Sequence, residues 1–174
     1  DLDDYFEDLG VVAFTPEDLQ LIRGAPDLRR RFMDRAVFNT HVGYLQEVRE
    51  YLRILQHRNS LLKKDSLDQA LLEVYNLQLQ QRGARLLRRR LQLLERLRSS
   101  MISTFNQIFP GGKQEVDATY VSTIGSLAAL DVKEPAEVLE EQIEQIFAEA
   151  LQRQSNREQE RRLTLVGPHL DDLS

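Results

Sequence analysis

The chain has 174 residues, no cysteine and a formal net charge of −5 at pH 7. The lack of cysteine excludes disulfides and thiolate-bound metals, and 41% apolar residues can fill the core of one domain. No apolar run approaches the roughly 20 residues that span a bilayer, so we expect a cytoplasmic chain without a membrane partner. The net charge argues against indiscriminate binding to polyanions.

Charge is nevertheless distributed in blocks along the chain. Residues 1–20 carry seven acids and no base, residues 82–98 carry seven arginines and one acid, and residues 131–149 carry seven acids and one lysine. A basic block in an acidic chain indicates either a local surface for an anionic partner or a solvated helix face.

The first elements are a strand and two short helices. A short, apolar, β-prone run over residues 9–14 predicts a buried strand. Thr15 before Pro16 suits the start of a helix that should run to about Arg23, and Pro26 begins the next helix.

An antiparallel helical hairpin is predicted over about residues 42–108. Ser66 and Gln69 form a capping box that should start its second helix after a tight connection. The first helix carries a heptad seam of Leu45, Val48, Leu52, Leu55, Asn59 and Leu62. Because Asn59 is the polar member, we expect it to fix the register, and Asn59→Leu should then raise the melting temperature.

The second helix of the hairpin should be about 40 residues long, or about 60 Å at 1.5 Å per residue. Gly83 marks either a weak point in it or a close crossing with another helix. Its predicted seam consists of Leu77, Ala84, Leu87, Leu91, Leu94, Met101, Phe105 and Ile108.

Three more elements follow the stop at Phe109-Pro110-Gly111-Gly112. We predict a strand over Val116–Ile124, a helix with an acidic outer face after Pro135, and a strand over Leu163–Val166. The whole is a mainly α, α+β chain, in which a projecting, coiled-coil-like antiparallel hairpin stands on a small base with a few β-strands.

Four stretches, in order, resemble the RecF family of bacterial recombination mediators, which belongs to the ABC and SMC class of ATPases. They are Val12–Leu19 with Gly24-Ala25-Pro26, then Leu28–Asp34, Gln56–Lys63, and Gly167-Pro168-His169-Leu170-Asp171-Asp172-Leu173. Leu170 departs from the family, which usually has a basic residue there, so no role of that charge is carried over.

The resemblance implies a head built from both ends of a longer chain with a helical lobe inserted between them. Residues 1–25 would then flank the head, residues 26–160 would form the lobe, and residues 161–174 would return to the head. It also implies ATP and Mg²⁺ as cofactors of the parent protein, an ATP-dependent homodimer, and binding to gapped DNA or a duplex–single-strand junction. With RecO and RecR partners, such a protein helps RecA load at single-strand gaps.

The sequence lacks a Gly-x-x-x-x-Gly-Lys-[Ser/Thr] loop, so this chain alone is not expected to bind or hydrolyse ATP. Leu127–Asp131 weakly resembles a Walker B strand, but Val132 stands where the catalytic Glu would be. We therefore expect no catalytic residues, bound cofactor or metal ligands in this chain.

His169, Asp171 and Asp172 could be drawn as a metal cluster. The simpler reading, which we favour, is a turn after a strand, with His169 hydrogen-bonded and both Asp residues capping whatever follows.

The arginines are the candidate contacts with DNA or a protein partner. Arg82, Arg89 and Arg96, the Arg stripe, are seven residues apart and should lie on the back of the helix, opposite the apolar seam. The remaining candidates are Arg29, Arg30, Arg31, Arg85, Arg88 and Arg90.

Each arginine group has an alternative role. Arg31 with Asp27, and Arg30 with Asp34, could pair within one helix at a spacing of four. The Arg stripe could simply be solvated. The rival function is therefore a helical protein–protein interaction module without DNA contact, whose binding would be insensitive to salt.

Overall fold

The structure is a computed structural model, which describes residue 15 and residues 19–111, 115–125 and 140–174. Its helices are α1 (Gln20–Arg23), α2 (Pro26–Phe38), α3 (Tyr44–Leu62), α4 (Gln69–Ile108) and α5 (Glu140–Arg161). Its strands are β1 (Tyr120–Val121) and β2 (Asp172–Leu173). The predicted mainly α, α+β class is confirmed.

The helices α3 and α4 form the predicted antiparallel hairpin. Asn76 near the start of α4 contacts Arg58 near the end of α3, whereas Arg89, further along α4, lies beside Glu47. The predicted capping box is wrong: Asp68 caps α4, and its side chain accepts a hydrogen bond from the Leu71 amide at 3.0 Å. Asp caps helices as well as Ser does, and Asp68 directly precedes the first helical residue.

The predicted seam of α3 is buried at Leu55 and Leu62, but in the first half of the helix the buried face is shifted by one residue. Leu45 and Leu52 are exposed, the latter by 49%, whereas their neighbours Tyr44 and Tyr51 are buried. The cause is that α3 packs on more than α4, since α2 and the C-terminal residues also contact it. A simple two-helix heptad does not describe a helix with several neighbours.

α4 is the central helix, with α3 and α5 packed antiparallel to it. Glu140 at the start of α5 pairs with Arg85 of α4, while Glu158 near its end reaches the Arg58 side chain. The predicted seam of α4 is buried at Ala84, Leu87, Leu91 and Leu94, but Leu77 and Ile108 are exposed. A second buried row at seven-residue spacing consists of Leu72, Leu79, Leu86 and Leu93.

The buried residues of α5 confirm its predicted apolar face, at Ile143, Phe147, Ala150 and Leu151. Phe147 explains Gly83: a Cβ built on Gly83 would clash with the Phe147 ring. Gly83 therefore marks a close crossing of α4 and α5, the second of the two roles predicted for it.

The sheet is smaller than predicted. Tyr120–Val121 is the only strand within Val116–Ile124, and it pairs antiparallel with Asp172–Leu173. The strand predicted over Leu163–Val166 is wrong; the amides of Thr164 and Leu165 donate to the side chains of Asn59 and Glu158 instead of to another strand.

Other predictions lie partly or wholly outside the described residues. They include the strand over residues 9–14, the start of the first helix at Pro16, and the Walker B resemblance at Leu127–Asp131. The boundaries at residues 25 and 160 stay predictions.

We expect Gly83→Ala to destabilise the chain, although Ala is the better helix former by about 1 kcal/mol. The added methyl group must displace the Phe147 ring, and overpacking a core costs about 1–3 kcal/mol. Thermal unfolding followed by circular dichroism measures the effect. Gln81→Ala, at an exposed position of the same helix, should not lower the melting temperature. Adding Phe147→Leu to Gly83→Ala should cost less than the sum of the two single changes.

Candidate functional site

The motif residues 167–173 belong to a return segment, residues 163–174, that follows α5 and makes a turn at residues 167–170. Its first part contacts Asn59 near the end of α3, its middle contacts Tyr51, and its last part reaches Arg29 of α2. The segment therefore runs along α3 in the opposite direction and then reaches α2.

A buried polar cluster anchors the start of the return segment. The Arg58 side chain is only 2% exposed, and its three nitrogens donate to Glu158 at 2.6 Å, Asn76 at 2.7 Å and the Thr164 hydroxyl at 2.7 Å. Four elements thus meet at one guanidinium group. Removing either partner of a buried ion pair costs about 3–5 kcal/mol, because a charge is left uncompensated.

Asn59 belongs to this cluster and not to an apolar seam. Its side-chain oxygen accepts from the Thr164 amide at 2.8 Å and from the Thr164 hydroxyl at 2.6 Å. The role predicted for Asn59 in hairpin register is therefore wrong, since its partner lies in the return segment.

Gly167 lets the return segment pass between α3 and α5. Its φ of +124° lies where L side chains are rarely found. A Cβ there would stand 2.6 Å from the Tyr51 hydroxyl and 2.8 Å from the Phe147 ring. Both the positive φ and the lack of room for a Cβ atom require glycine at this position.

Asp171 ties the return segment to the residues around β1. It accepts hydrogen bonds from the Tyr120 and Ser122 hydroxyls and from both the amide and the hydroxyl of Thr123. Burial raises the pKa of Asp171, and the same four hydrogen bonds oppose that rise. Burial also keeps the pKa of Tyr120 far above its usual range, so this hydroxyl remains a donor.

Arg90 is buried between α2, β1 and the return segment, although its sequence neighbours suggested a surface position. It donates to the Pro168 carbonyl at 2.7 Å, to the Asp34 carboxylate at 3.0 Å and to the Tyr120 hydroxyl at 3.2 Å. Tyr44 also donates to Asp34. The guanidinium is 5% exposed and fully engaged, so in this conformation it is not a surface contact.

The arginines of α2 hold the end of the return segment. Arg29 makes two parallel bonds with Asp172, of 2.6 and 2.8 Å, the geometry in which guanidinium binds carboxylate best. The hydrogen bonds with Arg29 lower the pKa of Asp172. Arg30 donates to the Asp171 carbonyl at 2.8 Å.

Only one of the two pairs predicted within α2 forms. Arg31 pairs with Asp27 on the exposed surface. The other predicted pair is wrong, because Asp34 binds Arg90 and Tyr44 while Arg30 reaches the return segment.

The Arg stripe lies on the side of α4 next to α3, and not on the back of α4, opposite the apolar seam, as predicted. Arg82 is 3.3 Å from Glu50, and Arg89 is 3.8 Å from Glu47. Arg96 is exposed and makes no ion pair with a described residue. On the other side of α4, Arg85 and Arg88 both contact Glu140, at 3.2 and 3.8 Å.

Comparisons with known proteins find relatives that match this chain over nearly its whole length. A curated "DNA replication and repair protein RecF" of Myxococcus xanthus is 40% identical over 178 residues, covering 99% of this chain and 44% of the relative. The RecF of Desulforamulus reducens is 41% identical over 168 residues, covering 95% of this chain and 43% of the relative.

A solved structure of the recombination mediator protein RecF-ATPrS in the RecFOR pathway superposes with a TM-score of 0.85, at 27% identity. The superposition covers 99% of this chain and 44% of the solved RecF chain. The chain is RecF-like. No protein-family model matches it. The RecF-like chain thus spans less than half the length of the curated relatives it matches.

The motif of the RecF-like chain uses its polar groups internally. His169 shares a hydrogen bond of 2.7 Å with the Tyr51 hydroxyl. Asp171 accepts hydrogen bonds from Thr123, and Asp172 accepts them from Arg29. Within the described residues no three His, Cys, Asp or Glu side chains are placed to hold a metal. The same part of the chain includes no helix both long and apolar enough to cross a membrane.

Sequence reasoning missed several of these residues for one reason. Tyr51, Arg58 and Glu158 each bond to residues at least 100 positions away. A signal was present for Arg58, because it falls in phase with the buried residues Tyr51, Leu55 and Leu62. An arginine at such a position is paired or hydrogen-bonded.

We expect Asn59→Leu to lower the stability of the RecF-like chain by about 1–3 kcal/mol, because the buried Thr164 amide would lose its acceptor. Asn59→Asp keeps an acceptor oxygen beside Arg58 and should lose less. Urea unfolding of both variants measures the difference. A melting temperature raised by Asn59→Leu would instead restore the seam interpretation.

His169 should make stability fall in mild acid. Burial, with Arg30, Arg58 and Arg90 nearby, lowers the pKa of His169 to about 4, against about 6.5 unfolded. The unfolded chain therefore binds the extra proton first, and up to about 3 kcal/mol of stability is lost as pH falls from about 6.5 to 4. The raised pKa of Asp171 acts in the opposite sense at the lower end of this range.

Melting temperatures measured between pH 7 and pH 5 test this prediction. His169→Gln, which cannot titrate, should show a flatter profile across that range than the parent chain. Equal slopes would mean that His169 takes up its proton normally in the folded chain.

Proposed function

We propose that the chain is the helical lobe, with flanking segments, of a RecF-type DNA-repair ATPase. The intact protein would bind gapped DNA in an ATP-dependent manner and help load RecA at single-strand gaps together with RecO and RecR. The observation that carries the proposal is the match to RecF in sequence and fold over 99% of the chain.

Within that protein the lobe would act as a lever. The return segment is held by Arg58, Arg90 and Arg29, at three places along its length. A displacement of the far end of the segment would therefore be transmitted to α2, α3, α4 and α5 together, because each of these helices contributes a side chain that holds the segment. This supports coupling between ATP-dependent dimerisation of the intact protein and the position of the lobe.

ATP and Mg²⁺ do not fit the described residues themselves. Asp171 and Asp172 are committed to Thr123 and Arg29, and the central guanidinium groups of Arg58 and Arg90 are engaged with protein acceptors. Nucleotide and metal would be bound by other parts of the parent protein.

The DNA or RecR-type partner surface is best assigned to the Arg stripe. Arg29, Arg30 and Arg90 hold the return segment, and Arg31 pairs with Asp27. The stripe pairs of Arg82 and Arg89 are partly exposed and longer than 3 Å, and such pairs contribute at most about 1 kcal/mol. A phosphate group can therefore compete for these arginines.

The rival proposal, a protein–protein interaction module, is supported by a different surface. A cavity of about 630 Å³ between α2 and α3 is lined largely by apolar side chains. Its rim includes the exposed Leu45. Binding there would depend little on salt, whereas binding through the Arg stripe would weaken steeply as salt increases.

Replacing Arg82, Arg89 and Arg96 with Gln should weaken DNA binding across unrelated sequences. Each phosphate contact contributes about 0.9 to the salt slope, so the slope should flatten by about two to three units. Fluorescence anisotropy of the intact, ATP-bound protein on gapped DNA, over a NaCl series, measures both effects. Gln is a good helix former, so α4 should persist.

The matched control is Arg49, Arg157 and Arg161→Gln, which removes the same charge from exposed positions of α3 and α5. Its salt slope should remain close to that of the parent. If the stripe variant binds with the parent's affinity and slope, the stripe is a solvated face or a protein contact.

A further inference from the structure

A small polar cavity lies where the end of α2 and the loop to α3 meet the middle of α4. Its volume is about 60 Å³, against the roughly 10–15 Å³ that one water molecule requires. It therefore has room for a compact polar group. Its polar lining consists of Thr40, His41, Arg89, Gln92 and Arg96.

The cavity is rich in groups that donate hydrogen bonds. The Thr40 hydroxyl already donates to the Val37 carbonyl at 3.1 Å. Arg89 and Arg96 together present two guanidinium groups, and Arg96 makes no ion pair with a described residue. Two permanent cations at one small cavity favour an anion.

Two buried polar atoms close to the cavity lack a hydrogen-bond partner, one on Arg89 of its lining and one on the neighbouring Glu47. The buried Nε of Arg89 has no hydrogen-bond partner among the described residues, and neither has Oε2 of Glu47. Burying a polar group without a partner costs about 1–3 kcal/mol. The Glu47 Oε1 atom lies 3.8 Å from Arg89 and 3.6 Å from His41, beyond good hydrogen-bond length. Glu47 thus partly compensates the charge of Arg89, whose Nε–H group makes no hydrogen bond to a described residue.

We propose that this cavity binds one phosphate group of a nucleic-acid backbone. The inference deepens the DNA-binding function proposed above and rests on it. A phosphate offers several acceptor oxygens, which suit the fork of a guanidinium group. Arg89 and Arg96 would hold it from one helix, and His41 would approach from the loop. Glu47 opposes binding, because its carboxylate competes for Arg89 and repels the anion.

Two arginines that share one phosphate have a measurable consequence. The salt slope counts the phosphates neutralised, at about 0.9 for each. One remaining arginine can still neutralise the shared phosphate, so Arg89→Gln and Arg96→Gln should each weaken binding with little change in slope, whereas the double variant should flatten the slope by about one unit. Arg82, outside the cavity, would add its own unit, so the triple variant should lose about two.

Glu47→Gln provides the opposite test. It removes the competing carboxylate while retaining a side chain of the same shape, so affinity for DNA should rise several-fold. The experiment uses the intact protein with ATP and gapped DNA, by fluorescence anisotropy over a NaCl series. Arg49→Gln, at an exposed site away from the cavity, is the control, and thermal melts establish that each variant folds.

A rise in affinity with Glu47→Gln, together with a one-unit loss of slope that appears only in the double arginine variant, would support the proposal. Losses that add to two units, or no gain with Glu47→Gln, would overturn it while leaving the DNA-binding function intact. A parent protein that fails to bind gapped DNA would overturn that function as well.

A second readout separates backbone phosphate from the free ion. Arg Nε–H resonances of the chain are recorded by NMR during titration with a short duplex and, separately, with inorganic phosphate. The proposal expects the Arg89 signal to shift with the duplex at concentrations where inorganic phosphate has no effect. A response to inorganic phosphate alone would reassign the cavity to a small anion.

Discussion

The arrangement of the described helices depends on the hydrogen bonds of one buried guanidinium group, that of Arg58. Its charge can remain in the interior only because Glu158 compensates it and because Asn76 and Thr164 accept its other hydrogen bonds. These partners lie on α4, α5 and the return segment, so the requirement to satisfy one cation fixes the relative positions of four elements. Apolar packing alone would tolerate several registers, whereas this set of bonds defines one.

The same physical requirement separates the arginines of α4 into two classes. Arg90 lies between Asp34 and the Pro168 carbonyl and serves the interior. Its sequence neighbour Arg89 points to α3, where Glu47 only partly satisfies it. A run of arginines in a sequence therefore need not be one surface, because a helix turns about 100° with each residue. The charge available to an external anion is smaller than the composition suggests.

Local patterns were enough to predict the helices but not their neighbours. Periodicity located the hairpin to within a few residues, and the family motifs pointed to the RecF match. The seam of α3 was misplaced by one residue in the first half of the helix, where Tyr51 bonds to the return segment. The strand predicted at Leu163–Val166 has β-prone residues but bonds to side chains of Asn59 and Glu158. The contact with Asn59 joins residues 105 positions apart, where periodicity carries no information.

The path of the return segment has a consequence for how the chain folds. The hairpin brings together residues close in sequence, so it can form early and quickly. The bonds of Thr164 to Arg58 and of Asp172 to Arg29 span 106 and 143 residues, and contacts of that separation form late because the loop they close is long. During synthesis, Arg58 emerges well before Glu158 and Thr164, and Arg90 emerges well before Pro168. The hydrogen bonds of these two buried cations are therefore completed only after residues 163–174 have been made.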